Sequence, residues 1–103
     1  MELFMKTLNE VRAQLELLKP LLRERFQVDT LGVFGSYSHN AQGKESDVDI
    51  LVTFLKPNDI DLIDFISLKR FLSRKLKVRV DLAEKDALKP RIKDQILQET
   101  MYI

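Results

Sequence analysis

The stretch Asp47-Val48-Asp49-Ile50-Leu51-Val52-Thr53-Phe54 carries the strongest strand signal in the chain, and its reading decides the fold class. Alternate residues of an extended strand point to opposite faces. Val48, Ile50 and Val52 therefore share one side, while Asp47, Asp49 and Leu51 share the other. Immediately upstream, residues 28–34 (Val-Asp-Thr-Leu-Gly-Val-Phe) read as a short strand ending at Gly35-Ser36. Residues 37–45 are polar and contain Asn40 and Gly43, which gives a turn or one short helical turn followed by loop.

Working outward, residues 3–26 place Leu8, Val11, Leu15, Leu18 and Leu22 at helical spacing, with Leu17 and Leu21 widening the stripe. Pro20 lacks the donor that an interior helical turn requires, so it either kinks one long helix or begins a second short one. On the other side, Pro57-Asn58-Asp59 closes the strand and opens the next helix, with Asn58 as the candidate cap. That helix runs from Leu62 to Leu76 through Phe65, Ile66, Leu68 and Leu72, and Phe71 broadens its buried face. Residues 77–82 alternate again, with Val78, Val80 and Leu82 inward and Lys77, Arg79 and Asp81 outward. A last helix is expected over about 91–101, carrying Ile92, Ile96, Leu97 and Met101, with Pro90 in its first turn. The order is helix, strand, strand, helix, strand, helix: one small α/β domain over residues 1–103 with a sheet of three strands or slightly more.

Composition narrows the chemistry. The 103 residues include no cysteine, which excludes disulfides, zinc knuckles, iron–sulfur ligation and a thiol nucleophile. One histidine excludes histidine-cluster metal sites, so any metal held here is a hard cation bound by oxygen. Seventeen basic against sixteen acidic side chains leave no strong electrostatic footprint for nucleic acid. A basic run does exist, comprising Lys69, Arg70, Arg74, Lys75, Lys77 and Arg79; it reads as a solvated face or as a surface that steers phosphate or RNA. The start, Met1-Glu2-Leu3-Phe4-Met5-Lys6, is not a secretory signal, and no run approaches the ~20 apolar residues of a membrane span. The expected location is the cytoplasm.

The chemistry concentrates in Gly35-Ser36, ten further residues, then Asp47-Val48-Asp49. Carboxylates at i and i+2 on a strand face the same side, roughly 6.6–6.8 Å apart along the backbone. Their mutual repulsion is about 2–3 kcal/mol at an effective dielectric near 20, and a cation between them reverses its sign. Mg²⁺ suits the arrangement, because it takes a few carboxylates, keeps some waters and completes its octahedron with substrate phosphate. Glycine permits close backbone approach, and successive amides with a serine hydroxyl can bind phosphate oxygen. Asp81, on the polar side of a later strand, adds a third carboxylate if that strand is adjacent. Such a geometry serves metal-assisted transfer at phosphorus.

The segment from Gly35-Ser36-Tyr37 through Asp47-Val48-Asp49-Ile50-Leu51-Val52, with Val33-Phe34 before it and Asp81 after it, resembles the signature of the minimal nucleotidyltransferases of the DNA polymerase beta-like superfamily. The resemblance implies a short mixed sheet flanked by helices. It implies that Gly35 and Ser36 hold the β- and γ-phosphates of a nucleoside triphosphate, and that Asp47, Asp49 and Asp81 bind Mg²⁺. Asp81 would also orient or deprotonate the attacking hydroxyl. Two ions about 3.5–4 Å apart would stabilise the entering and departing oxygens. One departure is visible: Ser38-His39-Asn40 stand where the family commonly has a small residue, arginine and glycine. Losing that arginine removes a permanent charge and a rigid donor fork.

With no sequence left for an acceptor-binding domain, the chain resembles the stand-alone MntA-type antitoxins of HEPN/MNT toxin–antitoxin modules. That resemblance implies ATP as donor, a tyrosine hydroxyl of a HEPN-type ribonuclease toxin as acceptor, and no nucleic acid as direct substrate. An antitoxin acting by binding alone is the alternative. Leu3, Phe4 and Leu8 either complete the monomer core or contribute to a partner or self interface, so a homo-oligomer stays open.

Overall fold

The computed structural model describes residues 7–35 and 47–103. Ser36, the Ser38-His39-Asn40 departure, Leu3 and Phe4 lie outside the described residues. The chain forms α1 (Leu8–Phe26), β1 (Val28–Phe34), β2 (Val48–Phe54), α2 (Leu62–Leu76), β3 (Val80–Glu84), a single 3-10 turn (Lys85–Ala87), α3 (Pro90–Glu99) and β4 (Met101–Tyr102). The strands make one mixed sheet in the order β3-β2-β1-β4. β2 runs parallel to β3, whereas β1 is antiparallel to both β2 and β4.

α1 begins at a reciprocal cap. The Thr7 hydroxyl accepts from the Glu10 amide at 3.1 Å, and the Glu10 carboxylate accepts from the Thr7 amide at 2.8 Å. The helix then continues through Pro20 as one element, so no second helix starts there. Its buried residues are Val11, Leu15, Leu22 and Phe26, a stripe at spacings of four, seven and four. Leu17 lies nearly opposite Leu15 around the helix and is 81% exposed, while Leu21 is also exposed, so neither widens the core face. Leu8 packs partly buried against the core.

α2 is capped by Asp61 rather than Asn58: its carboxylate accepts from the Asp64 amide at 2.8 Å, and Asp64 returns the bond. Asn58 instead shapes the preceding turn, donating to the Leu55 carbonyl and accepting from the Ile60 amide. Leu68, Phe71, Leu72 and Leu76 form the buried face, and Leu62 and Ile66 at the start of the helix remain exposed. The core joins these residues to the α1 stripe and to Val33, Val48, Ile50 and Val52 of the sheet. Phe26 and Phe71 meet at 5.3 Å between ring centroids.

Two boundaries differ from the sequence reading. Lys77 ends α2 in the left-handed conformation, so β3 begins at Val80, where the Ser73 hydroxyl accepts from the Val80 amide. α3 stops at Glu99, and Met101-Tyr102 pair with Val33 and Gly32 instead of continuing the helix. Gly32 makes this pairing feasible, since a side chain there would collide with the Thr100 methyl group and the Met101 carbonyl. The Ile103 amide extends the ladder by donating to the Leu31 carbonyl at 2.9 Å.

Candidate active site

β2 leaves the sheet with one face in the helical core and the other bearing acids. Val48, Ile50 and Val52 are all within 1% of full burial beneath α1 and α2. Asp47 and Asp49 point away from that core and are partly exposed. Leu51 shares their side, as alternation requires, and is nevertheless buried at 1% exposure. Its cross-strand neighbour is Gly32, and the exit of α3 at Thr100 packs closely over that glycine, covering the sheet there.

The parallel register of β2 and β3 sets Asp49 directly beside Asp81. Asp81 is exposed and outward, as its place in the alternation required. Antiparallel pairing sets Phe34 beside Asp49, so Gly35, the next residue, closes over the same carboxylate. Gly35 adopts φ +73°, in the left-handed region. A Cβ at that position would run into the Asp49 carboxylate. Glycine is needed here twice, for the backbone conformation and for the space.

The electrostatics follow from this packing. Burial, followed by the neighbouring negative charges of Asp81, Asp47 and Glu99, together push the Asp49 carboxyl up from its ordinary 3.8 to about 6. Glu99, at the end of α3, thus brings a fourth acid toward the group, from an element that sequence periodicity gave no reason to place there. The β1–β4 pairing explains its position: with Met101 beside Val33, the chain just before Met101 lies near the end of β1. At the rim, the Arg79 guanidinium lies 3.2 Å from the Asp47 carboxylate.

Among the described residues, no three acidic or histidine side chains close around one point as they stand. The donor set nevertheless fits a divalent hard cation. It offers carboxylate oxygens only, from two adjacent strands, and burial together with neighbouring negative charges raises the Asp49 pKa to about 6. Waters and substrate phosphate are the remaining ligands such an ion ordinarily takes. An apolar groove of about 450 Å³ lies elsewhere, between the start of α2 and the end of β3, lined by Ile60, Phe65, Leu82 and Leu88 among others. None of the three aspartates lines it, so it is separate from this chemistry.

A mixed sheet that brings acids of two parallel strands beside a left-handed glycine is an arrangement suited to phosphate esters and an oxygen-bound metal. Residues 15–103 match the family model of the nucleotidyltransferase domain, and the chain belongs to that family. It is 43% identical over 99 residues to the protein adenylyltransferase MntA of Thermococcus cleftensis, covering 96% of this chain and 98% of that one. A minimal nucleotidyltransferase of solved structure superposes with TM-score 0.78 at 33% identity, over 93% of this chain and 95% of the other. A chain of a toxin–antitoxin complex solved with AMP-PNP gives TM-score 0.71 at 27% identity, over 86% and 70%. The expected family and the short mixed sheet are both borne out. Among the described residues, no helix is long and apolar enough to cross a membrane.

Proposed function

We propose that the chain, as one minimal domain, transfers AMP from ATP to a tyrosine hydroxyl of a HEPN-type ribonuclease toxin and thereby silences it. The observation that carries this reading is the register that sets Asp49 beside Asp81, with Asp47 one step along the same face and Gly35 packed on Asp49. The MntA relative is a protein adenylyltransferase, and the similar AMP-PNP structure is a toxin–antitoxin complex.

In this mechanism the acceptor oxygen attacks the α-phosphorus, a new P–O bond forms, and the bond to the departing pyrophosphate breaks. Asp81, the most exposed of the three acids and the one on the outer strand, orients the acceptor hydroxyl and takes its proton. Asp47 and Asp49 would hold Mg²⁺, with Asp81 completing the set. The metal, when bound, supplies charge stabilisation for the entering and leaving oxygens. Gly35 keeps the backbone at the end of β1 close to Asp49, and Gly35 and Ser36 would take the β- and γ-phosphates. With its pKa raised to about 6, the Asp49 carboxylate is mostly ionised at neutral pH, and a cation would offset the neighbouring negative charges.

The test is to incubate the protein with ATP, Mg²⁺ and the toxin encoded by the neighbouring gene, then read the toxin by peptide mass spectrometry. Adenylyl groups on a toxin tyrosine are expected. An unmodified toxin that is still bound and silenced would favour neutralisation by binding alone.

A further inference from the structure

Among the described residues, Arg79 is the cation that the β2–β3 register sets among the acids. Val48 pairs with Val80, and the Val48 amide donates to the Arg79 carbonyl at 2.9 Å, so Arg79 stands beside Asp47 as Asp81 stands beside Asp49. By strand alternation all four residues belong to the face opposite the helical core. The patch is therefore a square with three acidic corners and one basic corner. The Arg79 side chain is 79% exposed although its guanidinium touches Asp47 at 3.2 Å. An ion pair so wet is weak and readily broken.

We propose that Arg79 is a phosphate-positioning residue of this site, held by Asp47 until a divalent cation takes that carboxylate and then released to the triphosphate of the incoming nucleotide. The inference rests on the reading of Asp47 as a metal ligand. Its physical basis is a reversal of the local field. With Asp47 free, the carboxylate attracts the guanidinium. With a doubly charged cation shared by the aspartates, the guanidinium is repelled from that corner, and the phosphate chain is the anion left for it to meet. A planar fork of donors on a long, exposed stem suits phosphate oxygens, which it can grip in pairs. Arg79, just before the third strand, would thus supply the charge that the sequence Ser38-His39-Asn40 lacks.

The two halves of the proposal shift affinities in opposite directions, which a merely structural ion pair would not do. Calorimetric titration of the full chain with Mn²⁺ alone, and with AMP-PNP at saturating Mg²⁺, separates them. In Arg79→Ala, Mn²⁺ binding is expected to tighten about two- to fivefold, the worth of the exposed pair that competed for Asp47. AMP-PNP binding is expected to weaken about tenfold, and Arg79→Lys should recover part of it. Unchanged AMP-PNP affinity in Arg79→Ala would overturn the inference, as would affinities for metal and nucleotide that fall together. Asp47→Asn separates the underlying reading: if wild type binds Mn²⁺ no better than that variant, the metal assignment itself has failed.

Discussion

Beneath α1 and α2, β2 contributes Val48, Ile50 and Val52 to an apolar cluster in which each is almost wholly removed from water. On its other side, a residue away at each step, the same strand carries Asp47 and Asp49, and β3 adds Asp81. The first face is complete as it stands, with apolar surface buried against apolar surface. The second is incomplete: burial and three like charges bear on Asp49, while Arg79 answers only Asp47 at the rim. One strand thus separates what holds the domain together from what gives it a task. Substitutions on the two faces should therefore fail in different ways.

The largest expected effect tests that separation on the acidic side. Asp47→Ala combined with Asp49→Ala should reduce AMP transfer about a thousandfold or more, the scale on which electrostatic catalysis is lost. Circular dichroism and thermal melting should show the fold retained, because both side chains are partly exposed. Undiminished labelling in this variant would break the assignment. The converse test is Leu72→Ala on α2, fully buried against the sheet, which should lower unfolding free energy by about 2–5 kcal/mol in a denaturant titration. Protein that remains folded should still transfer AMP.

Gly35→Ala lies where the two regions meet. The left-handed backbone alone should cost about 1–2 kcal/mol, and the new methyl must displace the Asp49 carboxylate. Activity should fall more than stability, read by transfer rate against melting temperature on the same preparation. Equal losses would mean that the glycine serves folding only.

The smallest effect has the opposite sign. A carboxyl whose folded pKa is raised binds its proton more tightly in the folded state, so stability is lost as pH climbs from 3.8 to about 6. Above that window the full penalty remains, reduced by solvent screening to about 1 kcal/mol. Metal-free Asp49→Asn should therefore melt higher than the parent near pH 8, with the gap closing below about pH 4. Saturating Mg²⁺ should stabilise the parent and leave the variant unmoved. An Asp49→Asn protein less stable at every pH would show that the carboxylate is needed for the fold.

Much of this was legible in the sequence, because the two strands that build the site alternate cleanly. Val48, Ile50 and Val52 against Asp47 and Asp49 gave the orientation of β2, and Val80 and Leu82 against Asp81 gave that of β3. Adjacency of those strands was a condition the pattern could state but not meet; the parallel register meets it. Leu51 lies on the acidic side as alternation requires, but its burial was not legible, since alternation knows only the strand, not the chain segment that covers Gly32. Met101 was read as the end of the last helix because a short apolar run has no period of its own, and only its pairing with Val33 decides it. Glu99 and the Arg79–Asp47 pair went unseen for the same reason. Each depends on a cross-strand neighbour far away in sequence.

The most direct test of nucleotidyl transfer at the acidic face compares ATP labelled at the α-phosphorus with ATP labelled at the γ-phosphorus. Each is incubated with the protein, Mg²⁺ and the partner toxin. The account predicts label on the toxin from the α-labelled nucleotide alone, with pyrophosphate released, and none from either when Asp47 and Asp49 are replaced. Label arriving from the γ-phosphorus, or persisting without the two aspartates, would contradict it.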